Sequence, residues 1–305
     1  MAAKINTTYN SVYLSFRPVI IMCQVLGFCP VKNTFKQTAK GLQFHILSIH
    51  VILALFFHFG ISHFMIETLE FRHQSWPVTY FYNYRKWCFF VALFTTEKER
   101  IFIFKELEKF DEDILKLNKI KLIDYNPRLR GKVWFFIYKL VYGIGTDLVS
   151  YTIFYPKGKT ALGLLADLIV KTFSAQMVFS YTIMYLTFSH EICYRFYLLE
   201  KSWIHHLFNS SKVSGTQKSQ ESIRQLHSHL TSIADKLSES FGPFFVVNLF
   251  FVFFEVLMYF YRILHTNINI FSNVQSVVFL AMNVASVPIL ASSTYYLLIA
   301  VSIHQ

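Results

Sequence analysis

Eight polar side chains stand inside stretches of sequence that are otherwise apolar: Tyr84, Arg85, Asp147, Tyr151, Asp167, Gln176, Glu255 and Asn283. Such groups are costly in hydrocarbon, so each is expected to face a partner or a wet cavity. Carboxylates and amides form hydrogen-bond forks that match vicinal hydroxyls, and aromatic rings can cover the C–H face of a sugar. The set therefore suits a small, hydroxyl-rich ligand. Further polar residues, Tyr82, Ser150, Lys171, Tyr259, Arg262 and Gln275, share the same stretches and keep a second reading open. In that reading Asp147–Arg85, Asp167–Lys171 and Glu255–Arg262 are ion pairs that hold helices together, and Asp167 and Lys171 have the i, i+4 spacing of a self-contained pair. Asp147, Asp167 and Glu255 could also exchange protons, but no nucleophile–base–orienter set accompanies them. No catalytic residue is assigned.

Positioning these groups requires membrane helices. A spanning helix needs roughly 20 mainly apolar residues, and six stretches qualify: 44–67, 79–96, 133–155, 161–190, 242–264 and 274–303. The second is interrupted by Arg85 and Lys86, yet without it the basic loop 97–132 would fall outside. Of the 29 Lys and Arg, 21 lie in segments 1–43, 97–132 and 191–240, and only 3 in 68–78, 156–160 and 265–273. Cytoplasmic loops collect Lys and Arg, so the amino terminus is placed inside. Trp76 and Trp134 then fall at interfaces, where amphipathic rings favour the headgroup layer. All eight polar residues fall in the outer halves of their spans, whereas Lys139 can snorkel to the inner surface.

The expected fold is all-α: a polytopic bundle over 44–305, preceded by a cytoplasmic arm over 1–43. The loops 97–132 and 191–240 read as cytoplasmic helices. Ile101, Phe104, Leu107 and Ile114 recur at helical spacing among charges, as do Ile223, Leu226, Leu230, Ile233 and Leu237. The spans are thus expected to continue as helices below the bilayer and to pack there. Gly215-Thr216-Gln217-Lys218-Ser219 reads as a flexible polar link between two of them.

Composition excludes several classes. The chain is 54% hydrophobic and 15% charged, against about 25% charged in a soluble domain. The net charge of +11 comes without a nucleic-acid recognition motif, and it faces anionic cytoplasmic lipid instead. There is no phosphate loop, paired-cysteine metal spacing or nucleophile elbow. His205-His206 and His227-x-His229 lack further ligands, so no metal or cofactor is expected. Cys23, Cys29, Cys88 and Cys193 all fall outside external loops, and no structural disulfide is expected. The acceptor patterns at Asn6 and Asn209 lie inside and should be unmodified. Residues 19–29 are apolar but too short to cross, and no cleavage site follows them.

The stretch Phe16-Arg17-Pro18-Val19-Ile20-Ile21, followed by Gln24-Val25-Leu26-Gly27-Phe28-Cys29-Pro30-Val31, resembles the start of insect gustatory receptors, most of all the sugar-receptor branch. Asn248-Leu249-Phe250-Phe251-Val252 is similar to that branch's Asn-Leu-aromatic-Phe pattern. Tyr295 to Gln305 resembles the cytoplasmic end of the family's sixth helix. The resemblance implies a sweet-taste receptor of the plasma membrane with no enzymatic activity. It implies a ligand-gated cation channel assembled as a homo- or hetero-tetramer of seven-helix subunits, with a sugar pocket in the outer half and membrane lipid around it. One departure is plain. The family's terminal signature is Thr-Tyr, five apolar residues, then Gln-Phe; Thr294-Tyr295 fits, but Val301 and Ser302 stand where Gln-Phe should. The expectation is that the pore-lining seventh helix is missing.

An insect odorant receptor shares this topology, although the polar outer layer favours taste. A G-protein-coupled receptor needs an external amino terminus. A secondary transporter predicts inverted repeats and spans broken by Gly or Pro, and only 10 Gly and 7 Pro occur in the chain.

Overall fold

The computed structural model describes residues 12–25, 31–36, 38–45, 76–118, 161–208 and 213–265, with single helical positions within 49–60, 134–145 and 291–302. In the long helices, side chains are described chiefly at 97–117, 181–204 and 220–254. These residues are almost wholly helical. Four helices, α1 (Val12–Val25), α2 (Trp76–Asn118), α3 (Ala161–Phe208) and α4 (Val213–His265), accompany a two-residue antiparallel pair, β1 (Val31–Lys32) and β2 (Gln43–Phe44). The all-α expectation holds at this level.

Helices α2, α3 and α4 run unbroken for 43, 48 and 53 residues. At about 1.5 Å per residue each is some 65–80 Å long, roughly twice a bilayer's ~30 Å hydrocarbon core. Each joins an expected span to an expected cytoplasmic helix without interruption. Pro77 sits in the first turn of α2, where its missing N–H costs nothing. Gly242-Pro243 stands inside α4, where the charged half of the helix meets the apolar half.

The nine apolar residues read as helix faces, from Ile101 to Leu237, are all buried in one core. Helix α4 is central and packs against both α2 and α3. Helix α1 completes the core with aromatic rings: Phe16 stacks on Phe188 of α3 at 4.9 Å and meets Phe104 of α2 edge-on at 5.3 Å. Phe188 in turn lies 6.2 Å from Phe241 of α4. The apolar residues 19–29 are therefore, over their described part, core material: Val19, Ile20 and Cys23 are buried.

After α1 the chain doubles back through the strand pair. Asn33 takes a left-handed conformation (φ 67°) and donates from Nδ2 to the Gly41 carbonyl at 3.0 Å. Tyr13 and Gln24 of α1 donate to the carbonyls of Thr34 and Val31, fixing the hairpin on the helix.

One expectation is corrected. Residues 215–219 are not a flexible link but the first turns of α4, which begins at Val213. Thr, Gln, Lys and Ser lose less than about 0.7 kcal/mol each in a helix, and one glycine near an end does not outweigh a long packed helix behind it. Residues 209–212 lie outside the described residues.

Six spans were expected. Among the described residues one helical stretch, Gln220–Phe254, is both long and apolar enough to cross a membrane. Most of 44–67, 133–155 and 274–303 lies outside the described residues.

Candidate functional site

The helices carry five of the eight candidate positions: 84 and 85 on α2, 167 and 176 on α3, and 255 on α4. The side chains of Tyr84, Arg85, Asp167, Gln176 and Glu255, and the whole of Asp147, Tyr151 and Asn283, lie outside the described residues. One consequence follows from the backbone alone. On a continuous α3, nine residues turn through about half a revolution beyond two full turns, so positions 167 and 176 stand on opposite faces. Positions 167 and 171 share a face.

A different polar constellation lies among the described residues, at the other end of the same helices. Arg195 of α3 is wholly buried. Its Nε donates to Asp111 Oδ1 at 2.9 Å and its Nη2 to Oδ2 at 2.8 Å, a two-pronged fork from α3 to α2. Its Nη1 donates to the Glu191 carbonyl at 2.8 Å and reaches Glu191 Oε2 at 3.4 Å. Planar guanidinium matches carboxylate in this way, and lysine cannot replace it. A second buried arginine, Arg100, pairs with Glu97 one turn earlier and donates to the Tyr181 hydroxyl of α3. Its guanidinium carbon also lies 5.9 Å from the centre of the Phe241 ring of α4. Arg100 thus ties three helices together.

Three further acids of α2 each hold another element. Glu108 accepts the Ala39 backbone N–H at 2.9 Å, and Glu112 accepts from Lys40 at 3.0 Å, so both grip the amino-terminal hairpin. Glu106 Oε2 lies 2.6 Å from His229 Nε2 of α4. At the upper edge of this layer the Tyr185 hydroxyl meets Thr294 Oγ1 at 2.7 Å, fastening the helical residues near 294 to α3. Asn248, part of the motif with a family resemblance, is 1% exposed, and its Oδ1 has no hydrogen-bond partner among the described residues.

The chemistry of this layer is positional. Burial, and then the nearby Glu97 carboxylate, push the Cys23 thiol up to about 12, so it stays protonated. Burial also raises the thiol of half-buried Cys193. Neither is a thiolate nucleophile. Among the described residues no group of three His, Cys, Asp or Glu could hold a metal ion.

Sequence reasoning passed over this layer. Residues 97–132 and 191–240 read as cytoplasmic helices, and the spacing of their charges carries nothing that marks Arg100 or Arg195 as buried. The usable signal was weak: an Arg and a Glu standing on the same face as the apolar residues of an amphipathic helix. No family model matches the chain, and a search of curated proteins finds no relative.

Proposed function

We propose that this chain is a multi-pass plasma-membrane receptor subunit of insect gustatory type, which binds a sugar among the outer halves of its helices. One observation carries the membrane part of the reading. Val246, Leu249, Phe250, Phe253, Leu257 and Phe260 of α4 fall within about 100° of arc, and all are exposed, Val246 at 68% and Phe253 at 58%. The core helix of a soluble protein would be covered on such a face; a patch of this kind marks a membrane or partner surface. Exposed apolar residues also recur in other expected spans, at Ile49, Ile52, Leu53 and Phe56, at Val91, at Trp134, Tyr138 and Val141, and at Leu298.

Continuous helices then give the receptor reading a mechanism. A ligand shifts the arrangement of the outer halves only by binding one arrangement more tightly. The unbroken helices carry that displacement into the buried ionic layer, which moves as one packed unit. The channel activity and the tetramer are those of the family that the motifs resemble.

Topology and ligand binding test the two parts separately. Epitope tags on the amino terminus and at residues 209–212 should stain only after permeabilisation, and an external amino terminus would sink the topology. Purified protein in nanodiscs should show a sugar-dependent rise in melting temperature that an Asp167→Ala variant weakens. The absence of any such rise across a panel of mono- and disaccharides refutes sugar binding.

A further inference from the structure

Helix α2 sorts most of its charges by sign, although Arg100 lies inward with the acids and Glu112 and Asp113 are partly exposed. Its carboxylates Glu97, Glu106, Glu108 and Asp111 turn inward onto Arg100, His229, the Ala39 N–H and Arg195. Its lysines turn the other way, Lys98, Lys109 and Lys116 exposed and Lys105 half-buried. Positions 98, 102, 105, 109 and 116 fall within about 60° of one another on a helix; they are Lys98, Phe102, Lys105, Lys109 and Lys116. Phe102 is 40% exposed. Lower down this face the positive charge is partly offset. Lys116 pairs with Asp113 at 2.8 Å, Lys109 leans 3.8 Å from Glu106, and Glu112 is held by Lys40. At the upper end, among the described residues, no carboxylate stands within ion-pair distance of Lys98 or Lys105.

The height of that upper pair is fixed by two marks. Lys98 Nζ lies 6.0 Å from the centre of the Phe44 ring, where the first expected span begins. From Trp76, at the outer interface, to Phe102 is 26 positions along α2, or about 39 Å. A bilayer measures about 40–45 Å across its headgroups.

We propose that Lys98, Phe102 and Lys105 form a docking face for anionic phospholipid headgroups of the cytoplasmic leaflet. The lysines lie two turns apart and their flexible stems reach toward lipid phosphates, while the Phe102 ring between them enters the interfacial layer. Lys109 and Lys116 stand some 10 and 21 Å further from Phe102 along the helix, beyond a Debye length of about 8 Å, and contribute little. The inference rests on the membrane reading of the preceding subsection.

The test uses the full chain in nanodiscs of phosphatidylcholine mixed with phosphatidylserine, with labelled phosphatidylserine as the probe and energy transfer from α2 as the readout. Each lysine removed near a charged surface should weaken enrichment of the probe about fivefold. Lys98→Gln with Lys105→Gln should therefore cost about thirtyfold, and Lys109→Gln with Lys116→Gln less than a factor of two. Equal loss from both pairs overturns the proposal in favour of an acidic partner lying along the whole face. No loss from either pair also overturns it. Failure of the chain to resist alkaline extraction from any bilayer overturns the membrane reading itself, a result distinct from insertion without lipid preference.

Discussion

At the scale of single residues, the decisive group is Arg195. Its charge is buried, and Asp111 and Glu191 satisfy it within 3.4 Å. Removing one member of a buried network leaves uncompensated charge, at about 3–5 kcal/mol, whereas replacing the whole network with apolar groups is often neutral. Arg195→Met should thus lower the melting temperature of the solubilised protein sharply. Arg195→Met with Asp111→Leu and Glu191→Leu should recover most of the loss; a single variant that melts like the wild type contradicts the geometry. Cys23 gives a second residue-scale expectation. Burial raises its pKa in the folded state to about 12, above the ordinary thiol value of 9.0, so the native state favours the neutral thiol. Stability is fully present below pH 9 and declines as pH rises toward 12, because the unfolded state releases the proton first. Cys23→Ala should be less stable at neutral pH, from the lost packing, yet lack this component of the alkaline decline. In the folded wild type, maleimide labelling of Cys23 at pH 8 should be far slower than in denaturant.

At the scale of elements, periodicity made some helices legible and left another hidden. Residues 97–117 and 221–240 repeat apolar positions at 3.6 against a charged background, and those positions became the core. Helix α1 offered no such contrast. It is apolar on most sides and carries Pro18 in its middle, so no face stood out. What defines it is tertiary: the slot between Phe104 and Phe188 that Phe16 fills. Buried ion pairs were illegible for the same reason, since charges at i, i+3 and i, i+4 look alike whether or not a neighbouring helix covers them. The outer polar layer was read from composition by depth, and continuity of α3 now separates its faces at 167 and 176. Phe16→Ala should cost about 3–5 kcal/mol, the range for truncating a buried phenylalanine. Hydrogen exchange should then quicken in 97–117 and 181–199 together, while a change confined to residues 12–25 would mean that α1 is a passive cover.

At the scale of the whole molecule, one end is held by polar groups sealed inside and the other shows apolar rings outside. Water favours the first end, where an apolar core also lies beneath exposed charges, and disfavours the exposed rings of the second. Within α4 the change falls at Gly242-Pro243 and on the exposed face. One face stays buried throughout, from Leu230, Ile233 and Leu237 to Phe244 and Phe251. On the other, exposed Arg224, Asp235 and Glu239 before the Gly-Pro pair give way to Phe250 and Phe253, 52% and 58% exposed, after it. A charge placed on the exposed stripe discriminates between the possible surroundings. On the surface of a water-soluble protein, Phe253→Lys should change stability by no more than about 0.5 kcal/mol. In the middle of a membrane span, a lysine opposes insertion by about 2.5–3.5 kcal/mol, roughly seventy- to four-hundredfold in the insertion equilibrium. Near the end of the span the ammonium can snorkel to the headgroups, so Val246→Lys should be tolerated. Glycosylation reporters fused after residue 265 read the outcome directly, because their acceptor is modified only if α4 crosses. Loss of modification in Phe253→Lys, with retention in Val246→Lys, is the expected pair of results. If both variants behave like the wild type, the stripe faces water or a protein partner, and the receptor reading loses the observation that carries it.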